Sequence, residues 1–251
     1  MNHPQRSFAL FLLLVLFSVP AFAAEGQTVR YASGDETVEG YLVVPDGHGS
    51  FPALVVIHEW YGLNEQVKGE ARRLAAEGYV ALAVDLYRGR VAADRDEAHE
   101  LSRGLPEDRA RRDLLAAFDF LAARSDVRAD RIGSIGWCMG GGYSLALALA
   151  QPKLAAGVIY YGRLVTDEAA LATLRPPVLG LFGEDDRGIP VESVRAFESA
   201  LQKNKKEVEV HVYPGAGHAF ANQERPSYRG EAARDAWEKT LAFLTRHLKE
   251  K

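Results

Sequence analysis

Ile132-Gly-Ser-Ile-Gly-Trp-Cys-Met-Gly-Gly-Gly-Tyr143 is the stretch of sequence that decides the fold. An apolar run typical of a β-strand ends in Gly-Trp-Cys-Met-Gly at 136–140, and an Ala- and Leu-rich helical segment follows over Tyr143–Ala150. This is the Gly-x-nucleophile-x-Gly pattern of a sharp strand–turn–helix elbow, with cysteine where most such elbows carry serine. The glycines allow the tight turn. The positive end of the following helix favours the thiolate form of Cys138.

Length and composition limit the classes of protein to consider. The chain has 251 residues, enough for one large α/β domain with a full core. Its hydrophobic content of 47% and charged content of 25% are ordinary for a globular protein. A formal net charge of −4 gives no electrostatic support for nucleic-acid binding, so we expect no nucleic-acid partner. Because no internal repeat or interdomain linker is visible, we expect a single domain over residues 24–251. We also expect a monomer.

The first residues, Met1–Ala23, predict a secretory signal peptide. Arg6 supplies the positive charge, Phe8–Val19 is an apolar run too short to span a bilayer comfortably, and Ala21–Ala23 fits the small-x-small cleavage rule. We therefore expect an exported protein, periplasmic or secreted, with no stable membrane anchor after cleavage. An uncleaved anchor is the alternative interpretation.

Cys138 is the only cysteine in the sequence. Exported proteins often hold their cysteines in disulfides, and this one has no partner within its own chain. A lone cysteine in a secreted protein indicates a reactive thiol or an intermolecular bond. This observation favours the elbow over the alternative for the same stretch, which is a glycine-rich turn around a small buried cysteine.

Strand and helix signals alternate along the rest of the chain. Two β-branched segments joined by a turn predict an opening antiparallel hairpin, and the alternation that follows predicts a doubly wound, mostly parallel sheet. The predicted strands are Thr28–Tyr31, Glu39–Val44, Ala53–Ile57, Val80–Val84, the run before Cys138, Ala156–Tyr161, Pro177–Phe182 and Val208–Val212. The predicted helices are Gln66–Glu77, Asp94–Leu101, Glu107–Ala123, Tyr143–Ala150, Val191–Lys203 and Ala232–Leu248.

Two loops after predicted strands carry the partners that a nucleophilic thiol needs. Gly-Glu-Asp-Asp at 183–186 supplies a carboxylate that can orient a histidine. Gly-Ala-Gly-His at 215–218 can bring a histidine over the nucleophile, although a turn with a surface histidine is the alternative. The order nucleophile, acid, histidine is that of the α/β-hydrolase fold. In such sheets the chemistry lies beyond the carboxyl ends of the strands.

These stretches together resemble the dienelactone hydrolase family, also called carboxymethylenebutenolidases, of the α/β-hydrolase superfamily. The matching segments are His58–Asn64, Asp85–Tyr87, Gly136–Gly141, Tyr160–Gly162, Gly183–Asp186 with Pro190, and Gly217–Phe220. They follow the family order across essentially the whole chain after the signal peptide. We therefore expect an α/β-hydrolase fold, and Gly162–Pro176 is too short to form a large lid domain.

The resemblance also implies which residues carry the chemistry. It implies a triad of Cys138, Asp186 and His218, in which the family spacing selects Asp186 over Asp185. Glu59 is a further family feature, because a carboxylate close to a thiol can hold the S–H or accept its proton.

The resemblance implies an oxyanion hole made of the backbone N–H groups of Met139 and Trp60. The first of these amides begins a helix, where it can stabilise developing negative charge. His58 is expected to pack at the end of its strand rather than to act in catalysis. Side chains that could bind substrate, with core packing as the alternative for the aromatic ones, are Tyr87, Arg88, Trp137 and Tyr161.

One departure from the family concerns the substrate. Dienelactone-cleaving members bind the substrate carboxylate with two arginines. Here one of those positions is Gly89, flanked by Arg88 and Arg90, and the other is Asn222, with Arg225 further along the chain. Binding of a small carboxylated lactone is therefore not assured by the family resemblance.

We expect an exported hydrolase that cleaves a small ester or lactone through a thioester on Cys138, without a metal or organic cofactor. The alternative from a different class is a non-catalytic protein on the same fold that uses this thiol for binding or redox sensing. The absence of a resolving cysteine weighs against a thiol–disulfide role. A peptidase or acyltransferase on the same scaffold is a third possibility.

Overall fold

A mostly parallel sheet of eight strands forms the centre of the molecule in the computed structural model, which describes residues 25–250. The predicted signal peptide lies outside the described residues. The strands are β1 (Gln27–Ser33), β2 (Glu36–Val43), β3 (Phe51–Ile57), β4 (Val80–Val84), β5 (Val127–Trp137), β6 (Ala156–Tyr160), β7 (Val178–Gly183) and β8 (Val208–Tyr213). Their order across the sheet is β1-β2-β4-β3-β5-β6-β7-β8. The β1–β2 and β2–β4 pairs are antiparallel and the others parallel, which confirms the predicted fold class with its opening hairpin.

Helices cover both faces of this sheet. They are α1 (Glu65–Ala76), α2 (Arg95–Arg103), α3 (Glu107–Ala122), α4 (Met139–Ala150), α5 (Glu168–Ala172), α6 (Val191–Lys203) and α7 (Gly230–Leu244), followed by a π-helical turn over Thr245–Lys249. Helices α1 and α7 bury apolar side chains against one face, and α2, α3, α4 and α6 bury theirs against the other. This cover on both sides explains why β4 and β7 are buried at every position. Among residues 25–250, no helix is both long enough and apolar enough to cross a membrane.

Helix α4 begins earlier than the sequence predicted. The Ala- and Leu-rich segment predicted a start at Tyr143, whereas the helix begins at Met139, directly after Cys138. Its first turn is glycine-rich because of packing rather than helix propensity: a Cβ at Gly140 would clash with the backbone carbonyl of Ile57 at the end of β3. The glycines therefore let the helix press against the neighbouring strand.

The connection between β6 and β7 contains only α5, a helix of 5 residues that the sequence analysis did not predict. Its N-cap is Asp167, whose side chain accepts a hydrogen bond from the N–H of Ala170 at 2.7 Å. The small size of this segment agrees with the expected absence of a large lid domain.

Candidate active site

Four loops that follow strands bring the predicted catalytic side chains to one edge of the sheet. Glu59 follows β3, Cys138 follows β5, Asp186 follows β7 and His218 follows β8. These four strands are parallel members of the same sheet, so their carboxyl ends meet at the same edge.

Cys138 occupies a strained turn between β5 and α4. Its φ is 55° and its ψ is −118°, a conformation that costs a non-glycine residue of order 1–3 kcal/mol. The backbone N–H of Cys138 donates to the carbonyl of Tyr160 at 3.0 Å, which ties the turn to β6. A Cβ at Gly136 would clash with the carbonyl of Gly140, so the turn requires glycine there. The half-buried sulfur consequently stands at the N-terminus of α4.

Asp186 is buried and fully engaged as a hydrogen-bond acceptor. Its Oδ2 accepts from Nδ1 of His218 at 2.7 Å, and its Oδ1 accepts from the backbone N–H groups of Gly188 at 2.8 Å and Ile189 at 3.1 Å. Burial raises the pKa of Asp186, but the bond from His218 and the two amides outweigh it and lower the pKa. The adjacent Asp185 is exposed. The structure thus has Asp186, and not its neighbour, against the histidine.

His218 lies between the carboxylate of Asp186 and the sulfur of Cys138. Burial lowers the pKa of His218, but hydrogen bonds with Asp186 and Cys138 outweigh it and raise the pKa to about 10. Because Nδ1 is bound to Asp186, Nε2 is the nitrogen left to contact the sulfur. The imidazole is thus in position to exchange a proton with the sulfur.

Glu59 is a second buried carboxylate at this edge, with 5% of the residue exposed. Its Oε1 accepts from the hydroxyl of Tyr161 at 3.3 Å and its Oε2 accepts from Nδ2 of Asn222 at 3.0 Å. Burial raises the pKa of Glu59 above its ordinary value, and these two donors oppose the rise.

His58 is completely buried and has a structural role. Its Nε2 accepts from the backbone N–H of Leu86 at 3.3 Å, so the ring proton belongs on Nδ1, which donates to the carbonyl of Glu59 at 2.5 Å. Burial lowers the pKa of His58, which keeps the ring neutral. The ring joins the ends of β3 and β4, as expected for a histidine packed at a strand end.

Comparison with known proteins gives the family of this chain. Residues 38–248 match the model of the dienelactone hydrolase family. The chain belongs to the dienelactone hydrolase family. A Yersinia pestis protein named as a carboxymethylenebutenolidase is 35% identical over 236 residues, which cover 88% of this chain and 88% of that protein. A Bradyrhizobium protein named as a 2-oxo-3-(5-oxofuran-2-ylidene)propanoate lactonase is 33% identical over 233 residues, which cover 88% of this chain and 94% of that one.

A solved structure agrees with these relatives. The crystal structure of a Klebsiella pneumoniae protein named as a dienelactone hydrolase has a TM-score of 0.80 and 32% sequence identity, covering 90% of this chain and 100% of that chain. Fold, family and relatives together make this chain a dienelactone hydrolase-like hydrolase. An enzyme is therefore favoured over the non-catalytic alternative.

Two of the predicted substrate-binding residues, Tyr87 and Tyr161, contact neighbours of Cys138 and His218. Tyr87 is 4% exposed, and its hydroxyl donates to Sδ of Met139 at 3.2 Å. Tyr161 is completely buried, with its ring centroid 5.2 Å from that of His218. Both tyrosines are thus packed around the predicted catalytic residues, and the hydroxyl of Tyr161 is already bound to Glu59.

Trp137, another predicted substrate-binding residue, packs in the core. Its ring packs 5.5 Å from that of Tyr160 in the core beneath α1 and α7. It lines a cavity of about 320 Å³ whose walls include Arg73 and Trp237 and none of the four predicted catalytic residues. Core packing, the alternative considered for Trp137, describes these contacts.

Arg88, another predicted substrate-binding residue, is engaged in ion pairs. Its guanidinium forms salt bridges with Glu36 at 2.9 Å and with the buried carboxylate of Asp113 at 2.7 Å, and these contacts hold it against β2 and α3. Arg90 is paired with Glu97 at 3.3 Å on the surface. These ion pairs anchor Arg88 to the fold, and its part in substrate binding stays a prediction.

The loop after His218 contributes side chains that the sequence analysis did not assign to the site. Asn222, noted only as a replacement for an arginine, binds Glu59 directly. The guanidinium of Arg225 stacks 3.9 Å from the centroid of Tyr61 and lowers the pKa of Glu59 through its charge. The only sequence signal for Asn222 was its place soon after the predicted catalytic histidine. That signal does not show which neighbour the side chain reaches.

Proposed function

We propose that this hydrolase cleaves a small ester or lactone with Cys138 as the nucleophile, His218 as the base and Asp186 as the residue that orients the base. One observation carries the proposal: a strained cysteine at a helix N-terminus contacts a histidine whose other nitrogen is bound to a buried carboxylate. This is the nucleophile–base–acid arrangement that activates a weak nucleophile.

The proposed reaction proceeds in two halves. His218 takes the thiol proton, and the thiolate of Cys138 attacks the carbonyl carbon. The tetrahedral intermediate collapses when the imidazolium returns that proton to the leaving oxygen, which leaves an acyl thioester on the sulfur. A water molecule then gives a proton to His218 and attacks the thioester, and the thiolate leaves as the carboxylic acid forms.

Backbone amides are proposed to stabilise the oxyanion in both halves. The N–H groups of Met139 and Trp60 are suited to this part, since neither donates to a backbone carbonyl among residues 25–250. The Met139 amide also begins α4, where the helix dipole favours negative charge. The ring of Trp60 is held edge-on to Tyr61 at 5.5 Å, which supports a fixed position for its amide.

An uncharged small ester or lactone is the proposed substrate class. The Bradyrhizobium relative is named for a propanoate lactone, which carries a carboxylate. By the family resemblance, Gly89 and Asn222 stand at the positions where dienelactone-cleaving members bind the substrate carboxylate with arginines, and Asn222 is bound to Glu59. The short helix α5 offers little cover for a large apolar substrate.

Turnover of p-nitrophenyl acetate with detection of the thioester tests this mechanism. We expect hydrolysis with an acetyl group on Cys138, seen by acid quench and mass spectrometry, and loss of both signals on blocking the thiol with iodoacetamide. Because the chain has one cysteine, the modified site is unambiguous. Turnover that survives complete alkylation would show that the nucleophile lies elsewhere.

We also propose that the chain is exported, with Met1–Ala23 removed as a signal peptide, and that the mature protein is a monomer. Arg6, the apolar run and the small-residue site support export. Expression in a Gram-negative host should give a mature N-terminus at or near Ala24 in the periplasmic fraction. Intact Met1 on cytoplasmic protein would contradict export, and light scattering measures the oligomeric state.

A further inference from the structure

The carboxylate of Glu59 is enclosed by neutral donors rather than by a cation. Its Oε1 receives the hydroxyl of Tyr161 at 3.3 Å, and its Oε2 receives Nδ2 of Asn222 at 3.0 Å. Within residues 25–250 this carboxylate has no salt-bridge partner inside 4.0 Å. A buried carboxylate without a cation needs such hydrogen bonds to remain charged.

The amide of Asn222 can take only one orientation. Asn222 is 3% exposed, and its Oδ1 accepts from the backbone N–H of Glu224 at 2.9 Å. Since that oxygen faces a donor, the amide nitrogen must face Glu59. The local turn therefore aims an N–H group at the carboxylate, and the contact does not depend on a choice between oxygen and nitrogen.

Tyr161, whose backbone is strained, donates to the other carboxylate oxygen of Glu59. Its φ is 37°, which a residue with a bulky side chain rarely adopts, and its backbone N–H is fixed to the carbonyl of Leu181 at 2.8 Å. The ring is completely buried and meets His218 edge-on. Strain of this kind clusters at functional sites, where the surrounding structure enforces it.

Several charged or titratable side chains face Glu59 from the elements packed around it. His218 and Arg225 approach from the loop after β8, Tyr161 from the end of β6, and Glu70 from α1. Cys138 lies at the end of the neighbouring strand, because the ladder pairs Ile57 with Gly136 just before the two loops begin.

We propose that Asn222 and Tyr161 are positioning residues that fix the Glu59 carboxylate beside Cys138 while leaving its negative charge unneutralised. The inference rests on the proposed function, because it gives that reaction a carboxylate able to hold or accept the thiol proton. We call the pair, Asn222 and Tyr161, the carboxylate clamp.

Three substitutions test the clamp. Asn222→Ser keeps an oxygen for the Glu224 turn but is too short to reach Glu59. Asn222→Asp puts a second carboxylate against the first, and Tyr161→Phe removes one hydroxyl. Loss of a hydrogen bond to a charged group corresponds to roughly a 10- to 150-fold lower kcat for p-nitrophenyl acetate. The acid limb of kcat/KM should also move to higher pH, because each change makes the charged carboxylate less stable.

Each variant has a matched control. Gln223→Glu introduces the same charge as Asn222→Asp on the next, exposed residue of the loop. Tyr160→Phe removes a buried hydroxyl that is bound to Thr240 at 2.7 Å instead of Glu59. We expect both controls to keep the wild-type pH profile, and thermal melts identify any variant that is merely misfolded.

The rate of Cys138 alkylation by iodoacetamide against pH gives a readout that needs no turnover. Asn222→Ser should shift the midpoint to lower pH, because a carboxylate that protonates more readily repels the thiolate less. A wild-type protein without esterase activity would contradict the proposed function. The pH midpoint of Cys138 alkylation would still test the carboxylate clamp in that case. Unchanged pH profiles in folded Asn222→Ser and Tyr161→Phe, or equal shifts in the controls, would overturn it.

Discussion

The acid loop after β7 and the segment after β3 each bury one carboxylate near the same thiol, and their pKa values move in opposite directions. Asp186 receives a histidine and two backbone amides, and these contacts lower its pKa despite burial. Glu59 receives only a phenol and an amide, and burial raises its pKa.

The difference shows that the balance between burial and hydrogen-bond partners decides the direction of a carboxylate's pKa shift: the partners outweigh burial at Asp186, and burial outweighs the partners at Glu59. Asp186 is suited to remain charged and hold His218 in one tautomer. Glu59 is suited to exchange a proton, since its charged and neutral forms lie closer in free energy. Two acidic residues at one edge of the sheet can thus take different parts.

Removing the side chain of Cys138 or His218 should have the largest effect on kcat. Cys138→Ala and His218→Ala should each lower kcat by about 10³-fold or more, and the double variant should lose little further, because members of one catalytic unit fail together. Steady-state kinetics on p-nitrophenyl acetate measure this. If the loss of kcat in the double variant equalled the product of the two single losses, the two residues would act independently.

Asp186→Asn should follow, with a loss of about 10²-fold or more in kcat, because the histidine loses the acceptor that fixes its tautomer. Asp185→Asn is the matched control and should stay within about 5-fold, as exposed charges usually do. A larger loss for Asp185→Asn would place the acid one residue earlier.

The two carboxylates should also differ in their effect on folding. The lowered pKa of Asp186 gives stability that is present above the ordinary carboxyl pKa and is lost as pH falls through the folded value. The raised pKa of Glu59 gives stability that is present below its ordinary value and is lost as pH rises through the folded value.

Glu59→Gln should therefore lower kcat by roughly 10-fold and change the pH–rate profile, because the side chain can no longer accept a proton. The same variant should raise Tm by about 2–4 °C at alkaline pH, while Asp186→Asn lowers it. Calorimetry across pH measures both. A Glu59→Gln protein that melts lower at alkaline pH would show that the charge is well solvated or paired.

Arg88 should show the smallest effect on activity, because its guanidinium serves Asp113 and Glu36. Arg88→Ala should change kcat/KM for neutral and carboxylated substrates by less than about 5-fold, and Arg90→Ala, an exposed pair, should do the same. Only Arg88→Ala should lower the unfolding free energy noticeably, by about 2 kcal/mol, since it leaves a buried carboxylate short of a partner. A loss confined to carboxylated substrates would return Arg88 to the substrate site.

The sequence predicted the strand order along the chain, and the boundaries of β4 and α6 agree with the predicted residues. Periodicity and apolar runs carry this information, because each side chain must match the burial of its own position. The predicted start of α4 was wrong by four residues. Close packing against β3 requires the glycines of its first turn, and no local pattern reveals that contact.

The sequence by itself determined the fold class and the family, and it predicted the order of nucleophile, acid and histidine, because a strand–turn–helix elbow and loops after strands are local patterns. Only the tertiary structure decided that Arg88 pairs with Asp113 and that Asn222 and Tyr161 enclose Glu59. Those contacts join residues far apart in the chain, and a side chain's partner across such a distance depends on how the strands and loops pack.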